Sequence, residues 1–275
     1  MAGRITDAQS SADDVVQATG WVFANAVRAP STLAEFVASG DDEVPLFLDT
    51  FGIADDHDAA RSLVEIGSGI GRMTCGLTRR YGLVYACDLD AGFLERCREA
   101  VARFGRLERL RTVPVPDGRT LDLPDGLADV SFSYITLQHC SRGDALSLAA
   151  EAVRVLRPGG VVALNFRGHS WFDVVLLPLG VGMRGLLRIP VLGEWLSRHR
   201  TMTRLAWQAN RMDPHHVLEP LADDLDAVAI WRNPRRDAPM WGTGDARREY
   251  FGAVNPAHWW LVATKRGQRP GADCS

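Results

Sequence analysis

Three glycines, Gly67, Gly69 and Gly71, stand two apart where the apolar run Leu63-Val64-Glu65-Ile66 gives way to a helical pattern. The order this implies is strand, tight loop, helix. Glycine is needed where a chain leaves a buried strand and turns under a ligand, because a Cβ would block both the backbone angles and the ligand's close approach. The free N–H groups that open the next helix then face whatever lies in the loop. A second apolar run, Leu83-Val84-Tyr85-Ala86-Cys87-Asp88, ends in a carboxylate 21 positions after Gly67, the offset at which an acidic side chain can take both hydroxyls of a ribose. Together these features describe a nucleoside site. The spacing lacks the third, more distant glycine that packs a helix beside a pyrophosphate, so a ligand without a diphosphate fits better.

Such a site must be held by alternating elements, and from Arg61 onward the signals do alternate. The pattern predicts strand 62–66, helix 71–80, strand 83–87, helix 91–104, strand near 109–113, strand 128–134, helix 143–156 and strand 160–166. Parallel strands joined by right-handed crossovers follow, with the ligand outside their carboxyl ends. Glu65, Asp88, Asp117 and the Tyr134–His139 segment would then converge on one edge. Upstream, 13–26 and 31–38 read as helices, the second capped by Ser31 with Glu35 in its first turns, and 41–51 as a further helix. These cover the core, or lay Trp21 or Phe36 over the mouth of the site. Downstream, 226–231 and 258–264 read as strands of a closing hairpin. Between Gly168 and Leu225 runs an excursion with Trp171, Trp195, Trp207 and Arg184, Arg188, Arg198, Arg200 and Arg204, too long for a simple loop.

With 275 residues the chain can bury a full core, and its net charge of −3 gives no reason to expect nucleic acid as a partner. Its five cysteines are scattered with no Cys-x-x-Cys pair, which argues against a disulfide framework or a zinc site and for a reducing cytoplasm. The first residues lack the apolar stretch of a signal peptide. The apolar region 171–192 is broken by charges, prolines and glycines and is not a membrane span.

At this point the residues resemble a known family, the class I S-adenosylmethionine-dependent methyltransferases. Val64–Thr74 looks like its glycine loop, Asp88 like its ribose acid, and Asp117-Gly118 like its adenine-side acid. Leu127–Tyr134 looks like its fourth strand, and Leu156-Arg157-Pro158-Gly159-Gly160 resembles the turn into its fifth. The likeness covers roughly residues 60–166. It implies an α/β fold with a Rossmann-like seven-stranded sheet, mostly parallel with an antiparallel closing hairpin. N-terminal helices (1–58) would precede the core (59–167), and a helical insertion or substrate cap (168–225) would precede the closing hairpin (226–266) and a disordered tail (267–275). It further implies S-adenosyl-L-methionine as cofactor, S-adenosyl-L-homocysteine as product, and a cytoplasmic enzyme with a small-molecule acceptor.

The resemblance assigns cofactor binding to Glu65, Gly67, Ser68, Gly69, Gly71, Arg72, Asp88, Leu89, Asp117, Gly118, Tyr134 and Gln138. Glu65 would support the glycine backbone or the methionine amino group, Arg72 the methionine carboxylate or only a helix surface, and Leu89 would flank the adenine. His139 and His169, near the ends of the fourth and fifth strands, are rival candidates for a catalytic base that takes a proton from a hydroxyl; scaffold is the competing reading for His139. An oxygen acceptor, a sugar or secondary metabolite, is preferred because Tyr134-Ile135-Thr136-Leu137 stands where nucleic-acid and amide methylating relatives carry an Asn/Asp-Pro-Pro-Tyr/Phe loop. Nitrogen or carbon transfer to a small or lipid-linked acceptor, a nicotinamide oxidoreductase and a non-catalytic cofactor-binding subunit are the alternatives. His215-His216 is read as a solvated helix start and no metal is expected, since adjacent histidines point apart and no carboxylate is suitably spaced. His258 reads as packing in an edge-like strand. The leucine–arginine stretch 176–205 suits a cap or dimer surface, with membrane contact as its alternative.

Overall fold

A computed structural model describes residues 11–16, 32–54, 60–169, 210–236 and 245–267, with positions 179 and 182 besides. Five parallel strands carry the expected alternation: β1 (Ser62–Ile66), β2 (Leu83–Asp88), β3 (Leu110–Pro114), β4 (Ala128–Ser133) and β5 (Leu156–Arg167). Three more, β6 (Leu225–Arg232), β7 (Arg247–Tyr250) and β8 (His258–Lys265), complete one sheet in the order β3-β2-β1-β4-β5-β8-β6-β7. The fold class is the expected mixed α/β one, with an eighth strand at the edge. β7 pairs parallel to β6 and lies in the chain between the two antiparallel neighbours β6 and β8. Its residues, Arg-Arg-Glu-Tyr, carry no apolar alternation, and a short charged strand is what an unpaired sheet edge tolerates. β8 lies inside the sheet between β5 and β6, not at an edge as its sequence suggested.

Helices cover both faces, as parallel strands buried on two sides require. On one face α1 (Leu33–Thr50), α2 (Thr74–Arg80) and α3 (Ala91–Phe104) pack on alternate strand residues such as Leu63, Val84, Ala86 and Val130. On the other, α4 (Arg142–Arg154) and α5 (Pro214–Leu221) cover Val64, Ile66, Val162 and Leu164. Glu65 alternates onto the α2 face, where its carboxylate accepts from Thr74 Oγ1 at 2.6 Å. An aromatic cluster ties α1 to the sheet: Trp260 of β8 lies 4.9 Å from both Phe47 and Phe51 and stacks on Tyr134 at 5.4 Å. Each such pair adds about 0.5–1.5 kcal/mol beyond burial.

Two of the expected helices, 31–38 and 41–51, are one. α1 runs through Gly40-Asp41-Asp42 and Pro45 without a break, capped by Thr32, whose Oγ1 accepts from Glu35 N at 3.2 Å, in place of Ser31. The helix expected from 71 begins at Thr74, after a turn over 69–73. Of the helix over 13–26, residues 12–16 are described and helical. Trp21, residues 176–205 apart from positions 179 and 182, and the tail beyond 267 lie outside the described residues, and of the excursion 168–225 the structure describes chiefly residues 210–225, with α5. Among the described residues no helix is long and apolar enough to cross a membrane, and Cys75, Cys87, Cys97 and Cys140 are free thiols.

Gly40 is buried where α1 crosses the loop after β1, and a Cβ there would fall inside the carbonyl of Arg72. Helix propensity alone makes Gly→Ala stabilising by about 0.5–1 kcal/mol. Here overpacking, at about 1–3 kcal/mol, wins, so Gly40→Ala should lower the urea midpoint; a raised midpoint would mean that the helix does not press on that loop.

Candidate active site

A cavity of about 450 Å³ opens at the carboxyl ends of β1, β2 and β4, where an open α/β sheet binds its ligands. Glu65, Gly67, Ser68, Gly69, Arg72, Asp88, Leu89, Asp117, Gly118, Tyr134 and His139 all line it. Three residues proposed from the sequence do not: Gly71, Gln138 and His169.

The loop after β1 is folded by its own backbone. Gly67 N and Ser68 N both donate to the Cys87 carbonyl, at 2.7 and 3.1 Å, and the three glycines take φ of 80°, 55° and 94°. Their roles differ. A Cβ on Gly67 would collide with the side chain of Thr136, whose Oγ1 donates to the Gly67 carbonyl at 3.2 Å. Gly69 faces open space, leaving room for a ligand. Gly71 lies under α3, where a Cβ would sit 3.3 Å from Cys97 and Ala100. The helix-packing glycine that the spacing seemed to lack is therefore Gly71.

Asp88 ends β2 part-buried, its Oδ2 accepting from Gly69 N at 2.8 Å and its Oδ1 from Asp90 N at 3.0 Å. Burial raises its pKa, and the Asp90 and Gly69 N–H groups offset part of that. A carboxylate offers about four lone-pair sites, so it retains capacity for two ligand hydroxyls. Glu65, 4% exposed, is pushed up to about 7 by burial; the Thr74 hydrogen bond and the Arg72 charge pull against this, and Asp88 adds to it. Arg72 pairs with Glu43 of α1 at 2.7 Å and lies 5.5 Å over the Tyr134 ring. Exposed Asp117 spends Oδ1 on the N–H groups of Arg119 and Thr120, at 2.9 and 3.0 Å, which hold its carboxyl below the usual range.

On the far wall, Ile135 sits at φ 61°, a left-handed conformation that a β-branched residue adopts only under constraint. Its N–H donates to Asn165 Oδ1 at 3.4 Å, and the same oxygen lies 3.0 Å from His258 Nδ1. Burial pushes His258 down to about 4, aided by the nearby positive charge of Arg167. His258 thus acts as a neutral buttress. The side chain of Gln138 turns back to the Ile135 carbonyl at 3.2 Å. Sequence reasoning marked 134–139 as facing the site but had no means of telling that Ile135, Thr136 and His139 line it while Gln138 supports it. It missed Ser141 and Asp144, whose place follows from the start of α4. Cys140 also lines the cavity, but burial pushes its thiol up to about 11, so it is no nucleophile.

His169 is elsewhere: its Nδ1 lies 3.1 Å from both carboxylate oxygens of Asp213. The expectation that no carboxylate is spaced to join His215 and His216 is corrected here, because Asp213 stands with them and the two rings lie side by side, 3.7 Å between centroids.

The residues fit an adenosine with a cationic amino-acid tail. Asp88 and the open face of Gly69 suit a ribose, Glu65 offers a buried carboxylate, and Ser68 Oγ is buried without a hydrogen-bond partner. Residues 64–164 match the family model of a methyltransferase domain. A Serratia marcescens malonyl-[acyl-carrier protein] O-methyltransferase is 30% identical over 131 residues, 45% of this chain and 48% of its own length. A Corynebacterium kroppenstedtii demethylmenaquinone methyltransferase is 31% identical over 107 residues, 38% of this chain and 41% of its own. This chain thus spans less than half the length of these relatives. A solved S-adenosylmethionine-dependent methyltransferase from Methanosarcina mazei, 16% identical, superposes with a TM-score of 0.50 over 76% of this chain and 94% of its own, a likeness of fold. Over residues 64–164, carried on this sheet, the chain is thus similar to methyltransferase domains, and the residues around the cavity fit S-adenosylmethionine.

Glu65 yields a test of the site's electrostatics. Its folded pKa of about 7 lies above the ordinary 4.5, so its contribution to stability is whole below about pH 4.5 and is lost as the pH rises through about 7. The loss can reach about 3 kcal/mol. Denaturant midpoints of the ligand-free protein should therefore fall across this window, and Glu65→Gln should flatten that part of the profile. An unchanged slope in the variant would show that Glu65 ionises as an ordinary carboxylate.

Proposed function

We propose that this protein methylates an oxygen of a small molecule, a sugar or secondary metabolite, that enters beside His139. The observation that carries the reading is a cavity running from the Asp88–Gly69 cradle to His139, the one imidazole among the described residues that line it. The matched Serratia marcescens relative, itself an O-methyltransferase, supports oxygen as acceptor.

In this reading Asp88 holds the ribose hydroxyls, Asp117 the adenine side, and Glu65 with Ser68 the amino-acid tail. When bound, the cofactor supplies an activated methyl on a sulfonium: a C–O bond to the acceptor forms as the C–S bond breaks, and S-adenosylhomocysteine leaves. The chain's own share is mostly positioning, worth up to about 7–11 kcal/mol. Thr136 and Gly67 fix the floor, while Tyr134 and Arg72 close the side toward α1. His139 takes the proton that a hydroxyl acceptor sheds, a role worth about 10²–10⁴-fold; an acceptor that is already an oxyanion needs no base.

The test combines binding and turnover. Asp88→Ala should weaken S-adenosylhomocysteine at least about tenfold by calorimetry, the loss of charge-assisted hydrogen bonds, and His139→Ala should leave that affinity unchanged. In a panel of sugars, phenols, malonyl thioesters and amines with labelled S-adenosylmethionine, label should enter an oxygen acceptor. With a hydroxyl acceptor, His139→Ala should lower kcat by about 10²-fold or more. Label in amines alone, or full kcat in the His139 variant with a hydroxyl acceptor, would overturn the reading.

A further inference from the structure

Asp213, His215 and His216 use none of their chemistry in the cavity, yet each offers a ligand atom within 4.8 Å of the other two. Ligands held by one ion at about 2.0–2.2 Å lie about 3.4 Å apart in a tetrahedron and at most about 4.4 Å across any geometry. Small side-chain rotations therefore close the set. Two further observations set this group apart from an ordinary surface cluster. Asp213 is the N-cap of α5 but makes no side-chain cap hydrogen bond, although that is the usual work of an aspartate there; its carboxylate is turned to His169 instead. Nδ1 of His215 and Nδ1 of His216 are both buried without a hydrogen-bond partner in the structure, and buried polar nitrogens are seldom left so.

We propose that Asp213, His215 and His216 bind a divalent transition ion of the zinc class, a site distinct from the methyl-transfer cavity. Two imidazoles and a carboxylate suit such an ion, not the all-oxygen shells of calcium or magnesium. His169 hydrogen-bonds the carboxylate from outside, the kind of partner that orients a metal ligand. The site's place in the chain gives it a structural role. His169 stands two residues past the end of β5, and Asp213 stands where the chain comes back, with Met212 N donating to the Arg167 carbonyl at 2.8 Å. The ion therefore fixes the start of α5, and the His169–Asp213 hydrogen bond holds that start beside the end of β5.

The test uses the full chain, stripped with EDTA and titrated with zinc chloride. One equivalent should bind with micromolar or tighter affinity and raise Tm by several degrees. Asp213→Asn and the double variant His215→Asn/His216→Asn should each weaken zinc at least about tenfold and lose the Tm rise, in step with the linkage between ligand affinity and stability. Cobalt(II) gives an answer that does not depend on any variant folding: nitrogen and oxygen ligation shows visible d–d bands without the strong near-ultraviolet thiolate charge-transfer band. Unchanged zinc affinity in both variants, a thiolate band that places the metal on cysteine, or millimolar binding would each overturn the proposal. S-adenosylhomocysteine affinity should persist in the variants, so failure of this inference and failure of the methyl-transfer reading are separately visible.

Discussion

One carboxylate fixes the geometry on which the rest of the site depends. Asp88 accepts from Gly69 N on the loop after β1 and from Asp90 N ahead of α3, joining two crossovers that the sheet alone would leave independent. The register that pairs Ile66 with Cys87 makes this possible. It puts the Cys87 carbonyl under the N–H groups of Gly67 and Ser68 and Asp88 one step beyond, beside Gly69. Asp90 then caps α3 through the N–H groups of Gly92 and Phe93. Loop shape, helix start and ligand face follow from a single strand pairing. A part-buried carboxylate is costly unless its lone pairs are used, and here the backbone uses half of them.

The second constraint comes from the two ends of the described chain. Trp260 on β8 and Phe47 on α1 meet around Tyr134, the first residue beyond β4. Arg72 lies over the same ring while pairing with Glu43 of α1. The wall between α1 and the cavity is therefore one packed unit, in which the early helix, the glycine loop, the turn after β4 and the last strand each support the others. The strained Ile135 next to it persists because Asn165 and His258, from β5 and β8, hold its backbone in place. That is the over-determination a left-handed β-branched residue needs.

What the sequence made legible were features in which local chemistry and tertiary role coincide. Strand alternation, the glycine loop and Asp88 depend on spacings of a few residues, and the structure has them where the spacing put them. Where a residue's role is set by a neighbour distant in the chain, the sequence misled. The division into helices 31–38 and 41–51 fails because nothing local reveals that Gly40 lies against the Arg72 carbonyl within one continuous helix. Gly71 reads as a ligand-facing glycine because its packing on Cys97 depends on where α3 lands. β7 was invisible because an edge strand needs no apolar alternation. His215 and His216 were set aside on the local ground that adjacent side chains diverge, yet an N-cap aspartate turned away from its helix supplied the missing carboxylate.

Glu65 and Asp88 together explain why the cavity exists in an unfavourable electrostatic state. Each is raised chiefly by burial, and each ionises less readily for being near other acids: Asp88 raises Glu65, and Asp90 raises Asp88. Arg72 offsets part of this for Glu65, but its guanidinium is also engaged by Glu43. A fold selected only for stability would replace such a buried acid with an apolar residue of similar size. Retaining it makes sense when a ligand brings the compensating charge, since an ammonium or sulfonium recovers in binding what burial cost the empty protein. Electrostatics set in advance of binding in this way favours a cationic ligand over a neutral nucleoside. The same buried carboxylates that lower the protein's own stability thus give the cavity its preference.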